Sequence, residues 1–394
     1  MGNTMENKKY SLLVVALYCY TGHVKGVVEH LRKKNPLVDI TLLSNISPDI
    51  LRKDIPDPSI NLVWYDVMDV NYVNNKWLRA WVIRFRQNRY FSKFSKNRKF
   101  DIVTVHFPKR HLAYAYKYLR AMANNLLITP WGSDILRQTS QALCELRSLY
   151  QRADYIVTSL TTPLGRKIQE EFNIKEEKFV GNFFGSDVIE YAVKYGDSIS
   201  QEDAKRRFGL SDRYVISCGY NRKVPQRHKV IIDAIDQVRS QLPENLTLVF
   251  PMTYANPRTD YDYVQELKQM CQDKQLPAVF VTDFLNIEDV YKLRKCTDMF
   301  VHIQTTDASS GSVMEYILCK KKIVHGSWIK YEELEAYKPL FYYPVDRLED
   351  LGKVIVKAYN SNGIDIPQGV IDYIKSGSWE VREAMMNDFF MSIV

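Results

Sequence analysis

The sequence predicts an α/β protein with two doubly wound domains, each a mostly parallel β-sheet covered by helices. First, its 394 residues exceed the length at which a single hydrophobic core usually keeps growing. Second, apolar segments of strand length alternate with helical segments, which is typical of parallel strands joined by crossover helices. Third, this alternation stops in a polar, charged stretch at residues 187–212 and then begins again. That stretch is therefore the predicted linker between two Rossmann-like domains that face each other across a cleft.

The elements follow in a regular order. After the first strand, a short turn leads into an amphipathic helix that ends near Lys34. The predicted domains cover residues 1–190 and 191–375, and a last helix within residues 376–394 is expected to pack back on the first domain. Strands are predicted at residues 10–17, 39–43, 60–65, 100–105, 125–129, 155–158, 214–218, 246–251, 279–282, 299–303 and 322–325. Later helices are predicted at residues 229–241, 260–273 and 378–393.

Composition and cysteine spacing exclude several classes of protein. Hydrophobic residues make up 46% of the chain and charged residues 25%, which is the balance of a globular protein rather than a disordered one. No apolar stretch approaches the roughly 20 residues that a membrane-spanning helix requires, so we expect neither a signal peptide nor a membrane anchor. The six cysteines lack CxxC or zinc-type spacing and are predicted to be reduced thiols of a cytoplasmic protein.

The motifs of other nucleotide-dependent and metal-dependent enzymes are absent from the sequence. No GxGxxG turn follows the first strand, which argues against a nicotinamide dehydrogenase. Walker phosphate loops and the GxSxG sequence of hydrolases are missing too. No His and Cys cluster has the spacing of a metal site, so we expect no cofactor and no metal requirement.

Residues 76–99 concentrate positive charge in a chain whose formal net charge is +8. This segment holds nine Lys and Arg residues and no acid, and Leu78, Trp81, Val82 and Phe85 fall on one helical face. A basic segment interleaved with aromatic residues suits an anionic membrane surface. The same pattern is produced by a solvated helix whose aromatic face joins the N-terminal core, so both interpretations stay open. Nucleic-acid binding is not expected.

Residues 305–324 carry the most informative pattern. Asp307 is predicted to end a strand-to-helix connection, and Glu315 lies one or two turns inside the following helix. Unpaired amides at that helix N-terminus can hold a diphosphate, and an inward carboxylate can accept hydrogen bonds from ribose hydroxyls. The small residues at the helix start are Ser309, Ser310, Gly311 and Ser312. An ordinary serine-capped helix with a surface acid produces the same pattern.

Asp307 and Glu315, with seven residues between them, resemble the two-acid signature of the family-four group of GT-B glycosyltransferases. Further landmarks resemble that group in their order along the chain, namely FDIVTVHF at residues 100–107, TPWGSDI at 129–135, ADYIV at 153–157, GNFFGSD at 181–187 and CGYNRKVPQRHK at 218–229. The resemblance implies the GT-B fold, with acceptor bound by residues 1–190 and nucleotide-sugar by residues 191–375. It also implies that Asp307 touches the donor sugar and Glu315 the ribose. The family usually has Glu at the first position, so Asp307 has a shorter reach.

The family resemblance also implies basic side chains that neutralise the donor phosphates. Arg222 and Lys229 occupy the corresponding segment. Because the spacing between the two cations differs from the family pattern, Arg227 competes with Arg222, and His228 competes with Lys229. The sequence leaves both choices open.

A second resemblance covers residues 251–269 and 281–298, which are similar to the 4-acetamido-4,6-dideoxygalactose transferases of lipid-linked antigen assembly. It implies a donor loop that includes Tyr254 and Asn256. Phe284 lies in a segment whose main chain, in GT-B enzymes, contacts the base. The first group retains the anomeric configuration and the second inverts it, so retention is the expectation and inversion the alternative.

Three residues of the N-terminal domain are further candidates. Gly22 follows the first strand and either lets the backbone approach a donor phosphate or acceptor, or serves turn geometry alone. Asp134 lies at a strand-to-helix edge, where it orients an acceptor hydroxyl, acts as a base or caps the helix. His106 follows a buried strand and is either catalytic or a satisfied core histidine.

These observations predict a hexosyltransferase-like enzyme that moves a sugar from a nucleotide-sugar to a lipid-linked or saccharide acceptor. The expected process is synthesis of cell-surface polysaccharide or glycolipid, in the cytoplasm or peripherally on the inner face of the plasma membrane. Two alternatives remain. One is a non-catalytic GT-B scaffold that binds nucleotide or membrane and assists a partner enzyme, and the other is a GT-B sugar-nucleotide epimerase, which would not require the basic helix.

Overall fold

The computed structural model describes residues 7–17, 22–68, 74–253, 261–307, 310–331, 342–363 and 365–394. The chain forms two compact units, of which the first comprises Met1–Gly185 and Trp379–Val394 and the second Ser186–Ser378. Within the described residues, each unit contains one six-stranded parallel sheet with helices packed against it. This arrangement confirms the predicted α/β, doubly wound class.

The first sheet has the strand order β3-β2-β1-β4-β5-β6. Its central strand β1 has the sequence SLLVVA and is almost entirely buried, as a parallel strand covered on both faces must be. The strands are β1 (Ser11–Ala16), β2 (Asp39–Ser44), β3 (Asn61–Trp64), β4 (Phe100–His106), β5 (Ala123–Thr129) and β6 (Tyr155–Ile156). The helices are α1 (Gly22–Lys34), α2 (Pro48–Asp54), α3 (Lys76–Phe94), α4 (Tyr116–Met122), α5 (Ser133–Leu136), α6 (Ser140–Gln151) and α7 (Pro163–Phe172).

The second sheet repeats this topology with the order β12-β11-β10-β7-β8-β9. Its strands are β7 (Tyr214–Cys218), β8 (Leu246–Pro251), β9 (Ala278–Val281), β10 (Met299–His302), β11 (Lys322–Gly326) and β12 (Tyr342–Val345). Its helices are α8 (Asp187–Tyr195), α9 (Gln201–Arg207), α10 (His228–Val238), α11 (Tyr261–Asp273), α12 (Ile287–Lys295), α13 (Gly311–Leu318), α14 (Leu351–Tyr359) and α15 (Gln368–Lys375).

One prediction about the elements is wrong, and one strand was not predicted. The expected linker at residues 187–212 forms the helices α8 and α9, because Ser186 and Ser200 cap them by accepting hydrogen bonds from backbone amides in the first turn. The strand β12 was not predicted, because its sequence YYPV is short and contains a proline. Proline is tolerated there because β12 lies at the edge of the sheet, where one side of the strand needs no backbone donor.

The last helix, α16 (Trp379–Ser392), belongs to the first unit and packs against α1. The Trp379 indole is buried and stacks on His30, with ring centroids 4.5 Å apart. His30, on α1, also has its Nδ1 2.8 Å from a carboxylate oxygen of Glu383, on α16. Gly26 and Gly185 lie against the indole, where an added Cβ would come within 2.1 and 2.4 Å of its atoms. The two glycines therefore make room for the helix.

The helix α3 settles one alternative that the sequence left open. Its aromatic face is exposed rather than joined to the core, so that interpretation of the segment is wrong. The exposed fractions are 87% for Trp77, 53% for Leu78, 63% for Trp81 and 56% for Phe85. The helix packs instead through other buried side chains, namely Ile83, Gln87, Phe91 and Phe94. Among the described residues, no helix is long and apolar enough to cross a bilayer.

Candidate functional site

The carboxyl ends of the strands are where open α/β sheets bind ligands. In the second unit, several of the predicted donor-binding residues lie at this edge. Arg222 and Arg227 follow β7, and Asp307 follows β10 just before the start of α13. Phe284 follows β9, and its side chain is 91% exposed. Tyr254, Asn256 and Ser309 lie outside the described residues.

Arg222 is buried and anchored by main-chain carbonyls at the ends of two strands. Its Nε donates to Met252 O at 2.7 Å, and one Nη donates to Thr282 O at 3.1 Å. These residues follow β8 and β9 directly. The planar guanidinium is therefore held in one orientation, with its positive charge at the ligand-binding edge of the sheet.

The other three candidate cations have different surroundings. Arg227 adopts a left-handed backbone conformation at the start of α10, donates to Ile303 O at 3.3 Å and lies over the Trp328 ring. Lys229 is partly exposed and pairs with Glu266 on α11. His228 is buried, and burial lowers its pKa to about 4, so the imidazole is neutral at pH 7. Arg222 and Arg227 are thus the candidate cations that hydrogen bonds hold at this edge.

The start of α13 has the geometry of a capped helix N-terminus. Ser310 Oγ accepts a hydrogen bond from the Val313 amide at 3.4 Å. Gly311 is the first helical residue, and an added Cβ there would meet only one atom within 4 Å, Glu315 Oε1 at 3.8 Å. Packing therefore does not require this glycine. Ser312 Oγ accepts a hydrogen bond from Arg294 at 3.3 Å.

Glu315 is nearly buried and paired with Arg294, a residue on α12 that is not predicted from the sequence. Arg294 Nε donates to Glu315 Oε2 at 3.0 Å, and Ser186 Oγ lies 3.5 Å from Oε1. Burial opposes the charge of Arg294, but Tyr316 and Glu315 raise the pKa of the guanidinium above its ordinary value. The carboxylate therefore has a permanent cationic neighbour. Nothing in the sequence distinguishes Arg294 from the other basic residues of α12.

Three side chains contact the carboxylate of Asp307. Tyr331 donates a hydrogen bond to its Oδ2 at 3.0 Å, Gln304 Nε2 donates to the same oxygen, and His302 Nε2 lies 3.3 Å away. None of these three partners is predicted from the sequence. Within the described part of the chain, no group of three or more His, Cys, Asp or Glu side chains is placed to hold a metal ion.

The corresponding edge of the first sheet carries the three N-terminal candidates. Gly22 begins α1, and no atom lies within 4 Å of an added Cβ, so packing does not demand glycine there. His106 ends β4 and is buried. Burial, with a smaller contribution from His23, lowers the pKa of His106 to about 3, so its ring is neutral at pH 7. Its Nδ1 has no hydrogen-bond partner among the described residues.

Asp134 is a buried carboxyl group with an unusual environment. It lies in the short helix α5 and is 1% exposed. Its Oδ1 accepts a hydrogen bond from the Trp131 amide at 2.9 Å, whereas Oδ2 has no partner among the described residues. Burial raises the pKa of Asp134 to about 7, although the backbone amides nearby oppose the shift. A carboxyl group that titrates near neutrality can exchange a proton at physiological pH.

Aromatic rings surround these polar groups. Trp131 makes edge contacts with His23, His106 and Phe184, with ring centroids 5.4, 6.4 and 5.6 Å apart. A cavity beside them is lined by apolar side chains and by His106, Thr104 and Thr129. The first unit thus combines an apolar wall with a few buried polar groups, which is the composition of small-molecule sites.

Comparison with known proteins finds structures of similar architecture but no similar sequence. No protein-family model matches the chain, and no curated protein matches its sequence. Solved structures do match. A glycosyltransferase from Rickettsia africae is similar over 98% of both chains, with a TM-score of 0.68 and 14% identity. Sucrose-phosphate synthase from Thermosynechococcus elongatus covers 98% of this chain and 99% of its own, with a TM-score of 0.67 and 11% identity.

A third similar structure was solved with ligands. Anabaena HepE in complex with UDP and glucose covers 98% of this chain and 97% of its own, with a TM-score of 0.62 and 15% identity. The chain has the GT-B fold. This confirms the fold that the two-acid resemblance implied. Among the described candidates, Gly22, His106, Arg222 and Asp307 lie at or after the carboxyl ends of parallel strands.

Proposed function

We propose that the chain is a glycosyltransferase that moves a hexosyl group from a UDP-sugar to a lipid-linked or saccharide acceptor in cell-surface polysaccharide or glycolipid synthesis. One observation carries the proposal: the edge of the second sheet gathers two anchored guanidinium groups, a helix N-terminus and two carboxylates. This combination suits a leaving nucleoside diphosphate, whose negative charge grows as the glycosidic bond breaks. UDP is the proposed nucleotide because HepE, which has a similar fold, was solved with UDP and with UDP-glucose.

The proposed roles follow from the chemistry of each group. Arg222 and Arg227 neutralise the diphosphate together with the amides at the start of α13. Asp307 accepts a hydrogen bond from the donor sugar. Glu315 accepts hydrogen bonds from the ribose, and Arg294 orients that carboxylate. Because these fixed charges do the work of a divalent ion, turnover should be equal in EDTA and in Mg²⁺.

The first unit is proposed to hold the acceptor. Asp134, whose pKa is about 7, orients the acceptor hydroxyl, while the neutral ring of His106 contributes to the wall beside it. Retention of the anomeric configuration is proposed from the two-acid pattern. The NMR coupling constant of the anomeric proton in the first-formed product tests it, and an inverted product would instead make Asp134 the base.

The first test is a thermal-shift titration against UDP, GDP, dTDP, ADP and CMP. A ligand that binds only the folded state at 100 times its Kd stabilises that state by about 2.7 kcal/mol. We expect a selective shift with UDP that Arg227→Gln abolishes and Lys229→Gln largely preserves, since Lys229 is already paired with Glu266. If none of the five nucleotides raised the melting temperature, the proposed donor site would be refuted.

A second candidate function is a non-catalytic scaffold that binds nucleotide. It is favoured by the ion pair of Glu315 with Arg294, which gives that carboxylate a structural partner, and by Asp rather than Glu at position 307. Hydrolysis and transfer assays with a panel of UDP-sugars separate the two. Binding of UDP without turnover of any sugar would favour the scaffold.

We further propose that α3 places the protein on an anionic membrane. The exposed rings of Trp81 and Phe85 stack on each other, with centroids 5.7 Å apart, and Trp77 lies on the same face. Exposed basic side chains flank this face, including Arg84, Arg89 and Lys93. Aromatic rings can enter the headgroup region while cations meet lipid phosphates, which suits a lipid-linked acceptor.

Sedimentation with vesicles tests the membrane proposal. The protein should bind vesicles that contain phosphatidylglycerol, bind phosphatidylcholine vesicles weakly, and be released by high salt. Replacing both Trp77 and Trp81 with serine should weaken binding by roughly 100-fold, since each inserted indole contributes on the order of 1.4 kcal/mol, which is a factor of ten. Ile50→Ser, at another exposed apolar side chain of the same unit, is the control. Failure to bind would refute the proposal and favour an epimerase.

A further inference from the structure

Two buried histidines lie side by side behind Asp307. His302 ends β10 and His325 lies in β11, and the parallel pairing of these strands makes the two residues register partners. Both are buried, and their Nδ1 atoms are 3.2 Å apart. His302 Nε2 in turn lies 3.3 Å from Asp307 Oδ2. The three side chains form a row that leads from the interior to the candidate sugar-binding carboxylate.

The protons in this row can be assigned from its ends. His325 Nε2 lies 3.0 Å from Ile329 O, and because a carbonyl only accepts, Nε2 of His325 must carry a hydrogen. His325 Nε2 faces an uncharged carbonyl, whereas His302 Nε2 lies beside Asp307, so a charged ring is better compensated at His302 and His325 is assigned as neutral. A neutral His325 has a bare Nδ1, which accepts. The hydrogen between the two rings therefore belongs to Nδ1 of His302.

The other end of the row fixes the state of Asp307. The hydroxyl of Tyr331 donates to Oδ2, and burial and the charge of Asp307 raise the pKa of Tyr331 well above its ordinary value, so the phenol keeps its proton. Gln304 Nε2 also donates to Oδ2. The Gln304 amide is oriented because its Oε1 accepts from Gln226 Nε2 at 2.8 Å and from Tyr220. Two donors that converge on Oδ2 favour a carboxylate over a carboxylic acid, because negative charge on the acceptor strengthens both hydrogen bonds.

The remaining atom is Nε2 of His302, which makes no well-aligned hydrogen bond within the described residues. If this nitrogen were bare, a lone pair would face the partly buried carboxylate at 3.3 Å. That arrangement is unfavourable, because two acceptors with no hydrogen between them repel each other. A hydrogen on Nε2 converts the same contact into an ion pair.

We propose that His302 is held as an imidazolium, oriented by His325, and that it is a positioning residue that fixes the orientation and compensates the charge of Asp307. The pair is neutral overall, so Asp307 can contact the sugar hydroxyls without adding net negative charge near the donor diphosphate. This assignment of purpose rests on the proposed glycosyltransferase function. The proton assignment does not depend on that function, because it follows from the hydrogen-bond geometry and the charge of Asp307.

Nitrogen-15 NMR of histidine-labelled protein at pH 7 tests the proton assignment without any substrate. His302 should show two protonated ring nitrogens and His325 one, with signals assigned by their loss in His302→Gln and His325→Gln. In Asp307→Asn, the negative charge is gone and His302 should show a single protonated nitrogen. A singly protonated His302 in the native protein, or an unchanged His302 signal in Asp307→Asn, would overturn the inference.

A kinetic comparison tests the positioning role. His302→Leu cannot donate to Asp307, whereas the amide of His302→Gln can. With the UDP-sugar that the native enzyme turns over fastest, we expect kcat to fall on the order of 100-fold in His302→Leu. His302→Gln should recover part of that loss, and UDP affinity should be similar in both. Equal kcat in the two variants would overturn the positioning role. If no UDP-sugar is turned over, the proposed function fails while the NMR result still decides the proton assignment.

Discussion

Replacing Asp134 with asparagine should remove a pH dependence from the stability of the protein. The pKa of the Asp134 carboxyl is about 7 in the folded state, against an ordinary value of 3.8 that applies to the unfolded chain. Between these two values, the folded state binds a proton that the unfolded state has released. The contribution of Asp134 to stability is therefore fully present below about pH 4 and is lost as the pH rises through about 7.

The magnitude follows from the same two values. Between pH 5 and pH 8, ionisation of Asp134 should lower the free energy of unfolding by about 2–3 kcal/mol. The side chain is 1% exposed, so solvent screens this cost little. Asparagine keeps an oxygen to accept the hydrogen bond from the Trp131 amide, but it has no charge to bury. The variant should consequently lack this part of the pH dependence.

The assay is urea unfolding, followed by circular dichroism, at pH 5 and pH 8. From pH 5 to pH 8, the free energy of unfolding of the native protein should fall by about 2–3 kcal/mol more than that of Asp134→Asn. Other titrating groups are common to both proteins and cancel in the comparison. Asp49→Asn changes an exposed carboxyl group of the same unit and should follow the native profile. Parallel profiles for native protein and Asp134→Asn would refute the reasoning.

Four further variants test the packing. Gly26→Ala brings a Cβ to 2.1 Å from the Trp379 ring, so it should lower the free energy of unfolding by about 1–3 kcal/mol and lower the Tm. Gly22→Ala is the control. No atom lies within 4 Å of an added Cβ at Gly22, so its Tm should be unchanged. Arg294→Met leaves the nearly buried Glu315 carboxylate without its cation and should cost about 3–5 kcal/mol in urea unfolding. Adding Glu315→Leu to Arg294→Met should recover part of that loss, and strictly additive effects would show that the two side chains are not coupled.

Much of the fold could be predicted because parallel strands buried on both faces are short, nearly continuous apolar runs. Residues 214–218 and 246–251 match β7 and β8 at both ends. The errors came from segments without that pattern. Polar residues 187–212 are helical because serine caps and packing within the second unit stabilise them, and neither feature has a hydrophobic period.

In the candidate site, the positions of some residues follow from the sequence, whereas their side-chain partners do not. The positions of Arg222 and Asp307 after β7 and β10 follow from sequence, because a loop after a parallel strand must lie at its carboxyl end. Their partners could not be predicted. Arg222 bonds to carbonyls of other strands, and Arg294 reaches Glu315 from another helix. Such contacts depend on side-chain packing between elements distant in sequence.

The sequence by itself determined the parallel α/β class, the repeat of that architecture and the loops that hold the candidate residues, because these depend on local hydrophobic period and turn chemistry. Tertiary structure decided which face of α3 stays exposed, which cations are anchored and which buried groups share protons. His302 and His325 illustrate the difference. Each ends or lies within an ordinary apolar strand, and only the register of β10 against β11 brings their rings together beside Asp307.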